Sequence, residues 1–423
     1  MPSLARGSLI FMVGNMEDVF IVDAARSPIG KFLGRLSGIG ATHLAAEVLK
    51  GMLKRTPINK DQVDDLILGN VISSGLGQNI AKQVVVYAGL PNRTPAYAVN
   101  KVCASSLKAV ALGSEEISAG NADVVIAGGA ESMSNAPFVL NGVRKFHKFG
   151  NVELGEFLSK VREDGIDPEK MELVDEMLYE GLIDCYSGKH MGSIAESMAS
   201  EYGITRKDED EFALESHRKA AAAEDSGKFS REIIPVTAPD GSVVNGDEGI
   251  RRDTNLEKLS SLKPVFESGG TITAGNSSQL SDGASFLIMV SKDKLGELGL
   301  RPLAQIISYS ASGSDPDKYG IAPVASARAA LEKAGIGTGD VDLVELNEAF
   351  CVQALSVIKS MGMDRSRFNV NGGATALGHP LGATGACILS TLIYALHDRN
   401  KQIGLATLCH GGGGAMSVVI RRG

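Results

Sequence analysis

The chain repeats itself once, and that repeat constrains its fold more than any other feature. Asp-Asp-Leu-Ile-Leu-Gly-Asn (64–70) is matched by Val-Asp-Leu-Val-Glu-Leu-Asn (341–347), an offset of 277 residues. Ala-Val-Asn (98–100) is matched by Asn-Val-Asn (369–371), an offset of 271. Val-Val-Ile-Ala-Gly-Gly (124–129) is matched by Leu-Ala-Thr-Leu-Cys-His-Gly-Gly (405–412), with the glycines 283 later. Three matches in one order at a nearly constant offset read as two copies of one unit. Within the first copy, β-branched runs predict strands at 19–22, 65–70, 94–102 and 122–128. Helical periodicity falls between them at 42–54, 77–89 and 105–118. Strands alternating with helices indicate an α/β layer architecture.

Between the copies, roughly 137 to 270, the chain is richer in charge. Helices are expected there at 154–162, 168–179 and 193–202. A longer one follows at 206–226, with Thr205 as N-cap and Asp208 completing a capping box. This excursion has the character of a loop domain that covers an active site, although a purely structural insert fits the same composition. The 423 residues suffice for two or three domains, and 43% hydrophobic residues exclude wholesale disorder. The net charge of −8 argues against a nucleic-acid partner, and no apolar run is long enough to span a membrane. Five scattered cysteines without a Cys-x-x-Cys pair predict reduced thiols and an intracellular setting, cytoplasmic or mitochondrial. Residues 1–15 hold one Arg, two Ser and no acid, which fits a stub of mitochondrial presequence and equally an irregular N-terminus. The terminal Arg-Arg-Gly is not a peroxisomal signal.

Chemistry concentrates at the strand ends. Cys103, in Val-Asn-Lys-Val-Cys-Ala-Ser-Ser, falls where a strand gives way to a helix, a position whose free N–H groups favour thiolate. A buried structural cysteine fits there too. His379 lies in the glycine-framed Gly-His-Pro-Leu-Gly of the second copy, so pseudo-twofold packing would bring it towards Cys103 as a base. Cys409 precedes His410 and four glycines (411–414) that can turn their N–H groups into an oxyanion nest. That run lacks the Gly-Lys-Ser/Thr ending of a nucleotide loop. Asn347 and Glu348, in Asn-Glu-Ala-Phe, suit either a helix cap with a first-turn acid or a pair orienting a water beside His379.

Taken together these four motifs closely resemble the thiolase family, and in particular its short-chain members acting on acetyl-CoA and acetoacetyl-CoA. The resemblance runs from about residue 17 to 421. It includes Val-Asp-Ala-Ala-Arg-Ser-Pro-Ile-Gly (22–30), Gly-Gly-Ala-Glu-Ser-Met-Ser (128–134), His-Met-Gly (190–192) and Thr-Ala-Gly-Asn-Ser-Ser (273–278). It implies two duplicated αβα halves forming a five-layered αβαβα core plus a loop domain. The halves would be 17–136 with return strands 271–291, and 292–423, with the loop domain at 137–270. It implies Cys103 as the acylated nucleophile, His379 as its base and Cys409 as the acid/base for the second substrate. One oxyanion hole would use His379 and a water held by Asn347, the other the N–H groups of Cys103 and Gly411. Coenzyme A would lie against the loop domain, with Arg251 near the adenine, Ser278 on the pantetheine, and His190 and Met191 lining the acyl pocket. The segment 319–323 would border that pocket. The substrates would be acetyl-CoA, acetoacetyl-CoA and CoA, with no metal or organic cofactor, and the assembly a homodimer or homotetramer.

Departures from the family pattern carry their own expectations. Ser106 stands where many members have Gly and would tighten the acyl pocket. His410 would lower the Cys409 pKa. Phe212 stands where some mitochondrial members place a potassium-binding Tyr, which argues against potassium activation. Residues 141–180 are some twenty longer than in short relatives. A longer-chain 3-ketoacyl-CoA thiolase is the nearest alternative, with a non-catalytic lipid-binding scaffold more remote. A decarboxylating ketoacyl synthase would carry a second His in place of Cys409.

Overall fold

The computed structural model describes residues 18–148, 150–167 and 171–423. The leader-like segment at 1–15 and the expected domain start at 17 lie outside the described residues. Nine strands organise the core: β1 Val19–Arg26, β2 Asp65–Gly69, β3 Ala96–Val99, β4 Val124–Ser132, β5 Ser281–Ser291, β6 Ala304–Gly313, β7 Leu343–Leu346, β8 Ile403–His410 and β9 Gly414–Arg422. β4 and β5 are buried along their whole length. That explains why they read as near-continuous runs of small and apolar residues, interrupted by Glu131 and Asp282 near one end, rather than as alternating patterns.

The repeat is visible in the pairing. In the first half β2 lies parallel between β3 and β4, and β5 and β1 follow antiparallel. In the second half β7 pairs parallel with β8 and meets Phe368 in a parallel bridge on its other side. β9 and β6 then follow antiparallel. The halves join where Val19–Ile21 of β1 pairs with Ala304–Ile306 of β6, giving one continuous ten-stranded order with the short Gly30–Lys31 strand.

Helices complete the layers. α1 (Ala41–Arg55) and α2 (Ile80–Ala88) cover the outside of the first half. α3 (Ser105–Ser118) and α8 (Thr384–Asp398) pack on each other between the halves. α6 (Ala322–Lys333) and α7 (Cys351–Met361) cover the outside of the second half. The order helix, sheet, helix, sheet, helix is the five-layered arrangement that the resemblance implies. Its central seam is apolar, with Leu107, Val110, Leu389 and Ile393 in one cluster with residues of both halves' strands.

The excursion carries α4 (Met191–Tyr202) and α5 (Arg206–Asp225), the latter with the expected Thr205–Asp208 capping box. The helix at Leu154–Glu163 forms as expected. The one expected over 168–179 does not. Residues 168–170 lie outside the described residues, Leu173–Asp175 is a strand paired with Phe138–Leu140, and Met177–Leu182 forms a single π turn. Cross-strand pairing with a segment 35 residues away in sequence overrides local helix preference there. Among the described residues no helix is long and apolar enough to cross a membrane.

Candidate active site

The two halves meet at the ends of their equivalent strands, and the side chains singled out there converge. Cys103 follows β3 and precedes α3 by two residues. The turn that presents it is strained: Val102, a β-branched residue, sits at φ 48°, a left-handed conformation it adopts only when held. Its N–H donates to Asn100 Oδ1 at 2.9 Å, and the Ser105 hydroxyl donates to its carbonyl at 2.6 Å. The helix start does not supply the expected free N–H groups, because those of Ala104 and Ser105 already bond the carbonyls of Lys101 and Val102. Only the N–H groups of Cys103 itself and of Gly411 reach the sulfur. Burial outweighs them and pushes the thiol up to about 12. The expectation of a resting thiolate is therefore corrected to a neutral thiol.

His379 is buried, and its N–H donates to Gln279 O at 3.0 Å and to Ser281 Oγ at 3.2 Å. Its ring Nδ1 lies 2.6 Å from Thr384 Oγ1, whose own hydrogen is donated to Pro380 O at 2.8 Å. The hydroxyl can then only accept, so Nδ1 carries the ring hydrogen and Nε2 the lone pair. Burial lowers the imidazole to about 4, keeping it neutral. Nε2 lies 3.3 Å from Asn347 Nδ2, at the end of β7. Thr384 escaped sequence reasoning, since only its place five residues after His379 on a helix start marks it.

Cys409 closes β8, buried at 1% exposure. Burial, the largest cause, holds its thiol well above the ordinary range. Gly412 and Gly413, at φ 80° and 88°, let the chain reverse and direct the Gly411 N–H at Cys103. His410 also lines the cavity that holds Cys103, His379 and Cys409, but its Nδ1 meets Gly411 O at 2.7 Å, and burial, the largest cause, lowers its pKa. A neutral ring engaged with the backbone does not lower the Cys409 pKa, which corrects that expectation.

Cys103, Cys409, His379, Gly411, Met191 and Ser278 line one narrow cavity of about 40 Å³, closed further by Tyr319, Phe350 and Leu381. Asn347 reaches it through His379. His190 does not line it. It caps α4, with Nδ1 accepting from Gly192 N–H, and stacks on Phe266 at 4.6 Å, which in turn stands edge-on to Phe350. Arg251 lies outside the cavity on the exposed surface. Ser106 also faces away from the cavity, its hydroxyl accepting from Ala386 N–H at 3.0 Å across the seam, so it does not narrow the acyl pocket. Glu348 does not cap α7, whose N-cap is Phe350; its carboxylate accepts from Ser216 Oγ, Asn369 Nδ2 and the Thr375 N–H. Phe212 is part of an apolar core cluster, with the Arg365 guanidinium 5.0 Å above its ring.

The N-terminal domain family of thiolases matches residues 19–293, and the C-terminal domain family matches 300–422. An acetyl-CoA acetyltransferase of Cupriavidus necator is 46% identical over 411 residues, 96% of this chain and 100% of its own. The crystal structure of the Bacillus anthracis acetyl-CoA acetyltransferase superposes with a TM-score of 0.89 at 37% identity, covering 96% of this chain and 99% of that one. Human mitochondrial 3-ketoacyl-CoA thiolase in complex with CoA superposes with a TM-score of 0.88 at 38% identity, covering 97% and 99%.

Proposed function

The chain belongs to the thiolase family and is an acyltransferase, and we propose that it joins two acetyl-CoA molecules into acetoacetyl-CoA and CoA, reversibly, through an acetyl group on Cys103. The observation that carries this reading is the meeting of two thiols and a neutral imidazole, its lone pair on Nε2, around one narrow cavity. In the first step His379 Nε2 takes the Cys103 proton as the sulfur attacks the thioester carbonyl. The N–H groups of Cys103 and Gly411 receive the developing oxyanion, and the departing CoA thiolate takes its proton from Cys409, which leaves a Cys409 thiolate beside the imidazolium. In the second step the Cys409 thiolate removes a methyl proton from a second acetyl-CoA. The enolate oxygen is held by the imidazolium Nε2–H of His379 and a water on Asn347, its carbon attacks the acetyl-Cys103 carbonyl, and the Cys103 thiolate that leaves takes its proton back from His379. No step calls for a metal or organic cofactor.

Met191 and Ser278 would line the path of the acyl group and the pantetheine, and Arg251 would meet the adenine end from the surface. The domains would be 17–136 with 271–291, 137–270, and 292–423. Exposed apolar side chains on the excursion, Phe138, Leu173, Tyr179 and Tyr186, support a homodimer or a dimer of dimers. The five free cysteines support an intracellular compartment, cytoplasmic or mitochondrial.

Mass spectrometry after mixing with acetyl-CoA tests the chemistry. Cys103→Ala gains no acetyl mass, whereas Cys409→Ala gains one and forms no acetoacetyl-CoA. An acetyl adduct elsewhere on the Cys103→Ala protein would overturn the assignment. The likeness to a 3-ketoacyl-CoA thiolase favours a second reading with longer substrates. The small cavity closed by Met191, Tyr319 and Phe350 speaks for the shorter ones, and thiolysis rates across a chain-length series separate the two.

A further inference from the structure

Directly behind the candidate active site lies a second, internal cavity of about 20 Å³, between β7 and α8. Asn347 and Thr384, the residues that contact the two ring nitrogens of His379, both line it. So does Glu345, two residues before Asn347 on the same strand and 2% exposed. Two oxygens there are buried without a protein hydrogen-bond partner, Glu345 Oε1 and Asn347 Oδ1. Leaving two such acceptors unsatisfied costs about 1–3 kcal/mol each, and a cavity of this size holds one water.

We propose that Glu345 is a positioning residue for the acyl-transfer site: through one buried water it fixes the amide of Asn347, so that Nδ2 stays directed at His379. The inference rests on the reading of Asn347 and His379 given above. One water can satisfy both oxygens, because it has two hydrogens to donate and two lone pairs that can accept. Burial, and then the charges of Glu348 and Glu232, hold the Glu345 carboxyl well above the carboxylate range, with Lys219 and Arg399 opposing weakly. Arg26, also on the cavity wall, is engaged with Glu232 and Asp247 and does not neutralise it. A protonated Glu345 donates its O–H to the water, and the water donates to Asn347 Oδ1. An amide whose oxygen is held from behind cannot flip. Its Nδ2 then serves the reacting side in every turnover.

The test uses the full chain with Glu345→Gln, Glu345→Leu, Asn347→Ala and the double variant Glu345→Leu/Asn347→Ala. Gln keeps a donor and should stay within about threefold of the parent kcat, whereas Leu should lose about tenfold or more with KM nearly unchanged. Leu replaces a buried, desolvated carboxyl with an apolar side chain of similar size, so its melting temperature should change little, and a tenfold drop in kcat without a matching drop in stability separates positioning from a structural role. In the Asn347→Ala background the Leu change should cost nothing further, because its effect runs through that amide. Equal loss in Gln and Leu, or parent-like kcat in Leu, overturns the proposal. Parent-like kcat in Asn347→Ala would instead overturn the reading of Asn347. If Glu345→Leu fails to fold, a high-resolution crystal structure of the parent decides, since a site between Glu345 and Asn347 without water density overturns the inference.

Discussion

At neutral pH neither Cys103 nor His379 carries a charge in the resting site, because the same burial raises the thiol to about 12 and lowers the imidazole to about 4. Acylation therefore proceeds from a neutral pair, with the proton moving during attack rather than before it. Iodoacetamide should inactivate the enzyme through Cys103 at a rate nearly flat between about pH 6 and 9, since the base is already free there and the thiol still protonated. A rate rising about tenfold per pH unit would mean that a free thiolate reacts, and the neutral pair would be wrong. The depressed imidazole also has a stability consequence. In the unfolded chain the histidine binds a proton below its ordinary 6.5, while in the folded chain it does so only below about 4. Folding stability is thus fully present above pH 6.5 and declines as pH falls from 6.5 to about 4. The loss is on the order of 3 kcal/mol from this residue, with buried His217 acting in the same direction.

Elements, rather than single residues, hold that pair in register. The start of α8 supplies Thr384, which fixes the His379 tautomer. Thr384→Val keeps the shape but removes the acceptor for Nδ1–H, and kcat should fall about tenfold or more while stability drops only by about 1 kcal/mol. Thr384→Ser should restore most of the rate, and a Ser variant as slow as Val would show that the hydroxyl is not what matters. The turn before that helix is tied to the other half by Glu131 of β4. Its carboxylate accepts from Gly382 N–H at 2.8 Å, Val71 N–H at 3.1 Å, Ile72 N–H at 3.2 Å and Asn70 Nδ2 at 2.9 Å. The difference between Cys103 and Glu131 measures what a sequence discloses. Cys103, His379 and Cys409 were legible because strand ends, glycine frames and an internal repeat are local patterns, and so was the alternation of strands and helices. Glu131 and Thr384 were not, because their partners are defined only after folding; Glu131 and Gly382 stand 251 residues apart. The electrostatics at Cys103 were misjudged for a related reason. Proximity to a helix start is visible in sequence, but the carbonyls that consume its N–H groups are not.

On the scale of the whole molecule, the halves communicate through the α3–α8 seam, which sets the distance between the two helix starts that carry Cys103 and His379. That distance depends on Gly385. A Cβ there would lie 2.6 Å from Leu107 N and 2.7 Å from Leu107 Cβ, and a backbone atom cannot step aside as a side-chain tip can. One residue away on each helix, Ser106 Oγ accepts from Ala386 N–H, so the close approach is also hydrogen-bonded. Alanine normally stabilises a helix by about 1 kcal/mol relative to glycine. At Gly385 the overpacking term, about 1–3 kcal/mol, opposes that gain and parts the helices. Gly385→Ala should therefore lower the melting temperature and kcat together, since the seam carries the fold and the spacing of the site at once. Gly155 provides the contrast, an exposed helical glycine with nothing within 4 Å of a built Cβ, where Ala should be neutral or stabilising and leave the rate unchanged. Calorimetry and steady-state thiolysis on the two variants decide the matter. A Gly385→Ala protein with parent-like stability and rate would mean that the halves can separate by a methyl group without disturbing the site.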